Sequence, residues 1–241
     1  MSVNIPKSEL KRVVIVGGGF GGLKIANKLS GGPFQVVLVD KNNYHQFPPL
    51  IYQVASAGIE PSSIAFPFRK IFHNRKNFFF RMAEVRSIFP EQKVLQTSIG
   101  KLRYDYVIFA AGTTTNYFGN AKIEEDSIPM KNVSESMGLR NALLDNFERA
   151  LNCASTQERQ ELLNIVIVGG GATGVELAGA LAEMKKHVLP KDYPDLDKSL
   201  LQIYLIEASN RLLAAMSPES SENVEQYLRS MGVNVVLNKM V

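Results

Sequence analysis

Short apolar runs alternate along this chain with segments whose apolar residues recur at helical spacing. The strand-like runs are β-branched or otherwise apolar, and glycine or an acid ends several of them: 13–16, 35–39, 104–110, 165–168, 201–206 and 233–237. The segments with helical spacing are 19–29, 135–152, 173–186 and 218–231. We therefore predict an α/β fold in which buried, parallel strands alternate with helices.

The segments between these elements are predicted from their breakers. The stretch 41–76 contains several prolines and predicts a loop followed by short helices, and 78–103 predicts strands and turns. A crossover is expected over 116–133. Ser134 is the predicted N-cap of the long helix, and a polar connection at 155–161 leads to the next strand.

One glycine-rich segment occurs in two similar copies, RVVIVGGGFGGLKIANKL at 12–29 and NIVIVGGGATGVELAGAL at 164–181, with a constant offset of 152 residues. Each copy places a GxGxxG pattern between a strand and a helix. The first glycine allows a tight turn, the second lets a pyrophosphate approach, and the third lets the helix pack closely. These roles fall to Gly17, Gly19 and Gly22 in the first copy and to Gly169, Gly171 and Gly174 in the second. The repeat predicts two dinucleotide-binding domains of Rossmann type.

An acid ends the second strand of each predicted unit. Asp40 follows Gly17 by 23 residues, and Glu207 follows Gly169 by 38 because a predicted loop, 189–199, is inserted. A carboxylate at this position can accept both ribose hydroxyls. It also repels a 2′-phosphate, so Glu207 predicts NAD rather than NADP, a preference that Arg211 would soften.

Two dinucleotide sites in one chain point to electron transfer between two cofactors. The natural pair is a flavin dinucleotide that stays bound and a nicotinamide dinucleotide that exchanges, with hydride passing from nicotinamide C4 to flavin N5.

Composition limits the cellular compartment of the protein and excludes some kinds of site. The net charge is only +4, and the single cysteine, Cys153, forbids an internal disulfide and is predicted to be a small buried residue. No apolar run approaches the roughly 18 residues of a membrane helix, which predicts a cytoplasmic protein. The three histidines share no ligand spacing, so no metal is expected. His45 is expected in a surface loop near the flavin edge.

The sequence resembles the two-domain flavoproteins and, among them, the type II NADH dehydrogenases, which are single-subunit NADH:quinone oxidoreductases. The most specific parts of the match are FPPLIYQVA and GVELAGALAE, and YDYVIFAAGTTTNYFG resembles the segment that joins the two domains. The resemblance implies FAD as cofactor, NADH as substrate and a quinone as electron acceptor. It also allows a homodimer and implies a peripheral position on the inner face of the cell membrane.

The resemblance assigns further residues to the FAD site beyond the glycines already named. These are Gly18, Phe20, Gly21, Asp40, Lys41, Val85, Ala111 and Gly112. It also places Glu176 where the nicotinamide meets the flavin, as the catalytic carboxylate. From the sequence, Glu176 is expected to be the one ionisable residue on the first turn of its helix.

The family pattern predicts an FAD-binding domain over residues 1–115 and an NADH-binding domain over 116–241. Members of the family are much longer, so we expect the chain to be C-terminally truncated relative to them, with an unpaired edge in the FAD-domain sheet. By the same resemblance, the quinone site and the amphipathic membrane helices are expected in segments after Val241.

Four other classes of flavoprotein are alternatives to this interpretation. Disulfide reductases and sulfide:quinone oxidoreductases need more cysteines than this chain has. A ferredoxin or rubredoxin reductase uses the same two cofactors and stays open. A redox-gated binding flavoprotein, similar to the apoptosis-inducing factors, would use FRKIFHNRKNFFFRM to bind nucleic acid. We favour an amphipathic helix and a core strand with solvated charges there, and expect no nucleic-acid partner.

Overall fold

The computed structural model describes residues 2–241 and divides into two compact units. The first comprises the described residues up to Phe47 together with Ser62–Thr114, and the second comprises Pro48–Pro61 together with Thr115–Val241. Each unit contains a parallel sheet, so the predicted α/β fold is confirmed.

The strands and helices alternate along the chain as the sequence pattern predicts. The strands are β1 Lys11–Val16, β2 Phe34–Asp40, β3 Tyr44–Gln46, β4 Ala65–Pro67, β5 Phe78–Met82, β6 Val85–Phe89, β7 Val94–Thr97, β8 Gly100–Arg103, β9 Tyr106–Phe109, β10 Asn164–Val168, β11 Gln202–Ile206 and β12 Val233–Val236. The helices are α1 Phe20–Leu29, α2 Ile51–Ala55, α3 Phe68–Ile71, α4 Ala121–Asp126, α5 Val133–Asn152, α6 Thr156–Leu163, α7 Ala172–His187, α8 Leu189–Asp192 and α9 Pro218–Ser230.

The first unit is built on a four-stranded parallel sheet in the order β5-β2-β1-β9. One face packs against α1 and α3 through a cluster that includes Ile15, Leu38 and Phe68. The other face, with Val14 and Val37, packs against the antiparallel sheet of β6, β7 and β8. Because strands with both faces covered must be apolar throughout, β1 and β2 read as continuous runs of valine, isoleucine and leucine.

The second unit is built on a three-stranded parallel sheet in the order β10-β11-β12. Its core combines inward residues of the sheet, such as Leu205, with Leu181 of α7 and Phe147 of α5. Ala55 of α2 is buried in the same core. The short helix α2 therefore belongs to the second unit, although it lies in the first quarter of the sequence.

Several local predictions are wrong. The long helix begins at Val133, and its N-cap is Asn132, whose Oδ1 accepts from the N–H of Glu135 at 3.0 Å; Ser134 lies inside the helix. The polar connection is helical, since α6 begins after Ser155, whose side chain caps it. The predicted loop at 189–199 opens with α8.

The strand predicted over 104–110 is shorter and less buried than its apolar sequence indicates. It becomes β9, which pairs with β1 and forms one edge of its sheet. Tyr106 and Phe109 at its two ends are more than half exposed. An apolar run therefore does not by itself distinguish a central strand from an edge strand.

Candidate functional site

The first glycine-rich loop joins β1 to α1 in a conformation that only glycine accepts easily. Gly17 has φ +98°, and a Cβ there would lie 2.3 Å from the carbonyl oxygen of Ala110. A Cβ on Gly22 would lie 1.8 Å from the carbonyl oxygen of Gly17. Both glycines are thus required by the turn and by close packing of the helix.

Gly19 has no such packing constraint. It is the N-cap of α1 with φ −66°, and a Cβ built on it meets nothing within 4 Å. No side chain caps this helix, and its first internal hydrogen bond runs from the N–H of Leu23 to Gly19. The N–H groups of the first turn and the open space beside Gly19 are the features that a phosphate needs.

The second loop repeats this geometry at the predicted offset. Gly169 has φ +105°, and a Cβ on Gly174 would lie 2.0 Å from the carbonyl oxygen of Gly169. Gly171 is the N-cap of α7, again without a side-chain cap and with nothing within 4 Å of a built Cβ. The two loops are therefore alike in structure as well as in sequence.

The predicted acids stand beside their own loops. Oδ2 of Asp40 accepts from the N–H of Gly18 at 2.6 Å, and Oδ1 accepts from the N–H of Asn42 at 2.7 Å. In the second unit, Glu207 accepts from Gly170 at 2.6 Å and from Ser209 at 2.7 Å. Because each carboxylate oxygen has two lone pairs, both acids retain acceptor capacity for a ribose.

The environment of Glu207 favours its ionised form. Burial by itself would raise the pKa of Glu207, but the hydrogen bonds from the N–H groups of Ser209 and Gly170, with a further one from the Ser209 side chain, lower the pKa below the usual value. Arg211, which the sequence places nearby, donates from Nη2 to the carbonyl of Ala214 at 2.8 Å. Its guanidinium is thus tied to its own loop.

Glu176 lies just beyond the first turn of its helix, and not on that turn as expected. Since α7 begins at Ala172, Glu176 is the fifth residue, and no acid lies on the first turn. It lines a groove of about 530 Å³ in the second unit, bounded by α2, α7 and α9, together with Tyr52, Val175 and Met231. Among residues 2–241 its carboxylate has no hydrogen-bond or ion-pair partner, and partial burial raises the pKa of this carboxyl group.

The remaining predicted residues of the first site are distributed around its glycine loop. Ala111 is close to Gly17, since a Cβ built on Gly17 would lie 2.9 Å from the Ala111 Cα. Phe20 is the first residue of α1 and is half exposed. Gly21, Lys41, Val85 and Gly112 make no hydrogen bond to the loop within the described part of the chain. The first three are, respectively, exposed on α1, exposed after β2 and half-buried at the start of β6.

His45 was expected in a surface loop, and this is wrong. It lies on β3, is only 6% exposed, and its Nδ1 is 2.9 Å from the carbonyl oxygen of Gly18. Its ring also meets that of Phe20 edge-on, with 5.5 Å between centroids. The sequence carried one signal for this contact, the position of His45 shortly after Asp40, where the chain passes the loop.

Comparison with known proteins identifies the family to which the chain belongs. The family model described as "pyridine nucleotide-disulphide oxidoreductase" matches residues 11–241. The chain belongs to this family. Although the family is named for disulphide chemistry, this member has a single cysteine. Cys153 ends α5 and is partly exposed rather than buried as predicted.

Relatives within the family confirm the resemblance to type II NADH dehydrogenases. The chain is 34% identical over 234 residues to the type II NADH:quinone oxidoreductase Ndh of Mycobacterium tuberculosis, covering 95% of this chain and 50% of the relative. It is 33% identical over 261 residues to the type II NADH:quinone oxidoreductase of Haemophilus influenzae, covering 96% and 58%. The chain thus spans about half the length of the curated relatives it matches.

Solved structures show the same fold. NDH2 from Plasmodium falciparum in complex with NADH superposes with a TM-score of 0.91 at 25% identity, covering 96% of this chain and 48% of that one. The sulfide:quinone oxidoreductase of Aquifex aeolicus superposes with a TM-score of 0.71 at 19% identity, which shows a shared fold alone. Within residues 2–241, no helix is long and apolar enough to cross a membrane.

Proposed function

We propose that this protein is a flavoprotein that transfers hydride from NADH to FAD and then reduces a quinone. The observation that carries the proposal is the pair of matching loops, each open at its helix N-terminus and each closed by a carboxylate. Relatives named as NADH:quinone oxidoreductases support the choice of substrates. Bound FAD would supply the acceptor atom for hydride and pass the electrons on.

The first loop is proposed to hold FAD, in a domain spanning residues 1–115. The N–H groups at the start of α1 would bind the pyrophosphate next to Gly19, and the free lone pairs of Asp40 would accept from the adenosine ribose. Gly18, Phe20, Gly21, Lys41, Val85, Ala111 and Gly112 are proposed to line the same cofactor. The open side of Gly19 fits this assignment, because a side chain there would fill the space that the phosphate needs.

The second loop is proposed to take NADH, in a domain spanning residues 116–241. Gly171 and the start of α7 repeat the phosphate-binding arrangement, and Glu207 stands where a ribose carboxylate is needed. The depressed pKa of Glu207 keeps a negative charge at this position, which disfavours the 2′-phosphate of NADPH. The engaged guanidinium of Arg211 gives that phosphate little compensation.

Glu176 is proposed to be the functional carboxylate, either positioning the nicotinamide or passing protons towards the reduced quinone. Its support is a carboxylate without a partner in a groove, with a raised pKa, since such groups are frequent at functional sites. Replacing Glu176 by alanine should lower NADH:quinone turnover while bound FAD stays near its normal content. Glu219→Ala, on α9 and outside the lining of the groove, is the control for loss of one carboxylate; equal turnover in the two variants would exclude the role.

Two further features remain proposals. By the resemblance to the family, the protein would lie on the inner face of the cell membrane, and it would act as a homodimer. Co-sedimentation of the protein with lipid vesicles tests the first proposal, and light scattering tests the second.

The absorbance spectrum of the purified protein tests the function as a whole. We expect flavin bands that NADH bleaches under anaerobic conditions and that an added quinone restores. Restoration by a ferredoxin or rubredoxin, but not by quinone, would favour the alternative reductase. Protein that is purified without flavin and cannot be reconstituted with FAD would contradict the proposal.

A further inference from the structure

Gly18 is held by three contacts. The N–H of Gly18 donates to Asp40, and its carbonyl oxygen lies 2.9 Å from Nδ1 of His45. On the third side, a Cβ built on Gly18 would lie 2.0 Å from Cζ of Phe68, so that side is closed by an apolar ring. Since a carbonyl oxygen only accepts, Nδ1 of His45 must carry the proton.

The second loop holds the corresponding glycine, Gly170, by the same three kinds of contact. The N–H of Gly170 donates to Glu207, and a Cβ on Gly170 would lie 2.5 Å from Cδ2 of Leu212. The carbonyl of Gly170 accepts from the backbone N–H of Leu213 at 2.8 Å. A main-chain donor therefore does in the second loop what a histidine side chain does in the first.

The donors come from equivalent places in the two units. His45 lies five residues after Asp40, and Leu213 lies six residues after Glu207. In both units the chain leaves the second strand, passes the glycine loop and bonds the carbonyl of its middle glycine. Because the sequences of these passing segments differ, the shared contact indicates that this carbonyl has to be held.

The reason follows from the planarity of the peptide bond. In a trans peptide the carbonyl of one residue and the N–H of the next point in opposite directions. A donor that fixes the Gly18 carbonyl therefore fixes the N–H of Gly19, on the side away from His45. That N–H precedes the free amides of α1 and borders the open space beside Gly19.

We infer that His45 is a positioning residue for the first dinucleotide site. Its Nδ1–H orients the Gly18–Gly19 peptide so that the Gly19 N–H faces the cofactor phosphates before the cofactor binds. The role in binding rests on the proposed function, because it takes FAD to be the ligand of the first loop. Phe20 supports the ring from one side, and β4 pairs with the strand that carries it.

Two variants of similar shape separate the donor from the bulk of the ring. His45→Asn keeps an N–H close to the Nδ1 position, whereas His45→Leu has similar branching and no donor. After removal of flavin, titration with FAD should give a dissociation constant about tenfold higher for His45→Leu than for wild type. His45→Asn should bind close to wild type, and NADH binding at the second loop should not change in either variant.

Nuclear magnetic resonance of the ligand-free protein gives a readout independent of FAD. We expect the His45 ring to carry its proton on Nδ1, and the Gly19 amide resonance to shift in His45→Leu but not in His45→Asn. If wild type fails to bind FAD, the proposed function fails and the Gly19 resonance still decides the role of His45. A neutral ring protonated only on Nε2, or an unchanged Gly19 amide in His45→Leu, would overturn the inference. Should His45→Leu not fold, the ring proton and the His45→Asn titration decide it.

Discussion

The carboxylate of Glu207 accepts from the backbone N–H of Gly170 at 2.6 Å. The acid is therefore part of the loop as well as a candidate ribose ligand, and Asp40 makes the same contact with Gly18. An acid at the end of the second strand thus links two tasks, shaping the turn and recognising the sugar. Substitutions in the loops can separate these tasks.

Gly19→Ala should abolish FAD binding without unfolding the first unit. Its φ of −66° suits alanine and a Cβ meets nothing within 4 Å, so we expect the free energy of unfolding to change by less than about 1 kcal/mol. Gly18→Ala is the matched comparison for stability. Its Cβ would overlap the ring of Phe68, so we expect the free energy of unfolding to fall by about 1–3 kcal/mol. Chemical denaturation and FAD titration measure both variants; FAD binding by Gly19→Ala at wild-type affinity would refute the phosphate site.

Glu207→Ala should weaken NADH binding by about tenfold and reduce the preference for NADH over NADPH. The variant loses the ribose acceptor and also the negative charge that disfavours a 2′-phosphate. Glu219→Ala, at an exposed position on the first turn of α9, is the control for loss of one carboxylate. Dissociation constants for both nucleotides test this, and an unchanged NADPH-to-NADH ratio would count against the role of Glu207.

The same residue should make stability depend on pH. The native pKa of Glu207 lies below its ordinary value, which is about 4.3 in an unfolded chain. Its stabilising contribution is therefore fully present above that ordinary value and is lost as the pH falls through the native one. Urea unfolding of wild type and Glu207→Ala should differ at pH 7 and converge in acid; a difference independent of pH would exclude this linkage.

The pH dependence of stability that comes from Glu176 should have the opposite sign to that from Glu207, and Glu176→Gln tests it. Burial raises the native pKa of Glu176, so ionisation opposes folding above the ordinary value and has no effect below it. We expect the variant to melt at a higher temperature than wild type at pH 7, with the difference vanishing in acid, while NADH:quinone turnover falls. Glu183→Gln, whose carboxylate is 3.3 Å from Nε2 of His187, should not be stabilised. A variant that is both less stable and fully active would contradict both expectations.

The strands and the two glycine turns could be predicted because their signals are local. Gly17 and Gly169 each follow an apolar run directly, and only glycine suits the positive φ that the turn imposes. The misplaced N-cap has a different cause. Asn132 and Ser134 are both good capping residues, and only the structure shows which side chain bonds the helix.

The contact of His45 with Gly18 could not be predicted, because it depends on where a distant segment passes. The histidine is 27 residues from the glycine it bonds, and no periodicity marks it as buried. The lack of a partner for the Glu176 carboxylate could not be predicted either, and α7 begins one residue earlier than the sequence predicts, which puts Glu176 beyond the first turn.

The assignment of Pro48–Pro61 to the second unit has a consequence for expressing the two units as separate fragments. The two units are interleaved in the sequence, since the chain leaves the first unit after Phe47, returns at Ser62 and leaves again after Thr114. A recombinant fragment starting at residue 115 would lack α2 and leave a gap where Ala55 fills the core. A simple tandem duplication of two contiguous modules therefore does not describe this chain, even though its glycine-rich segment occurs twice.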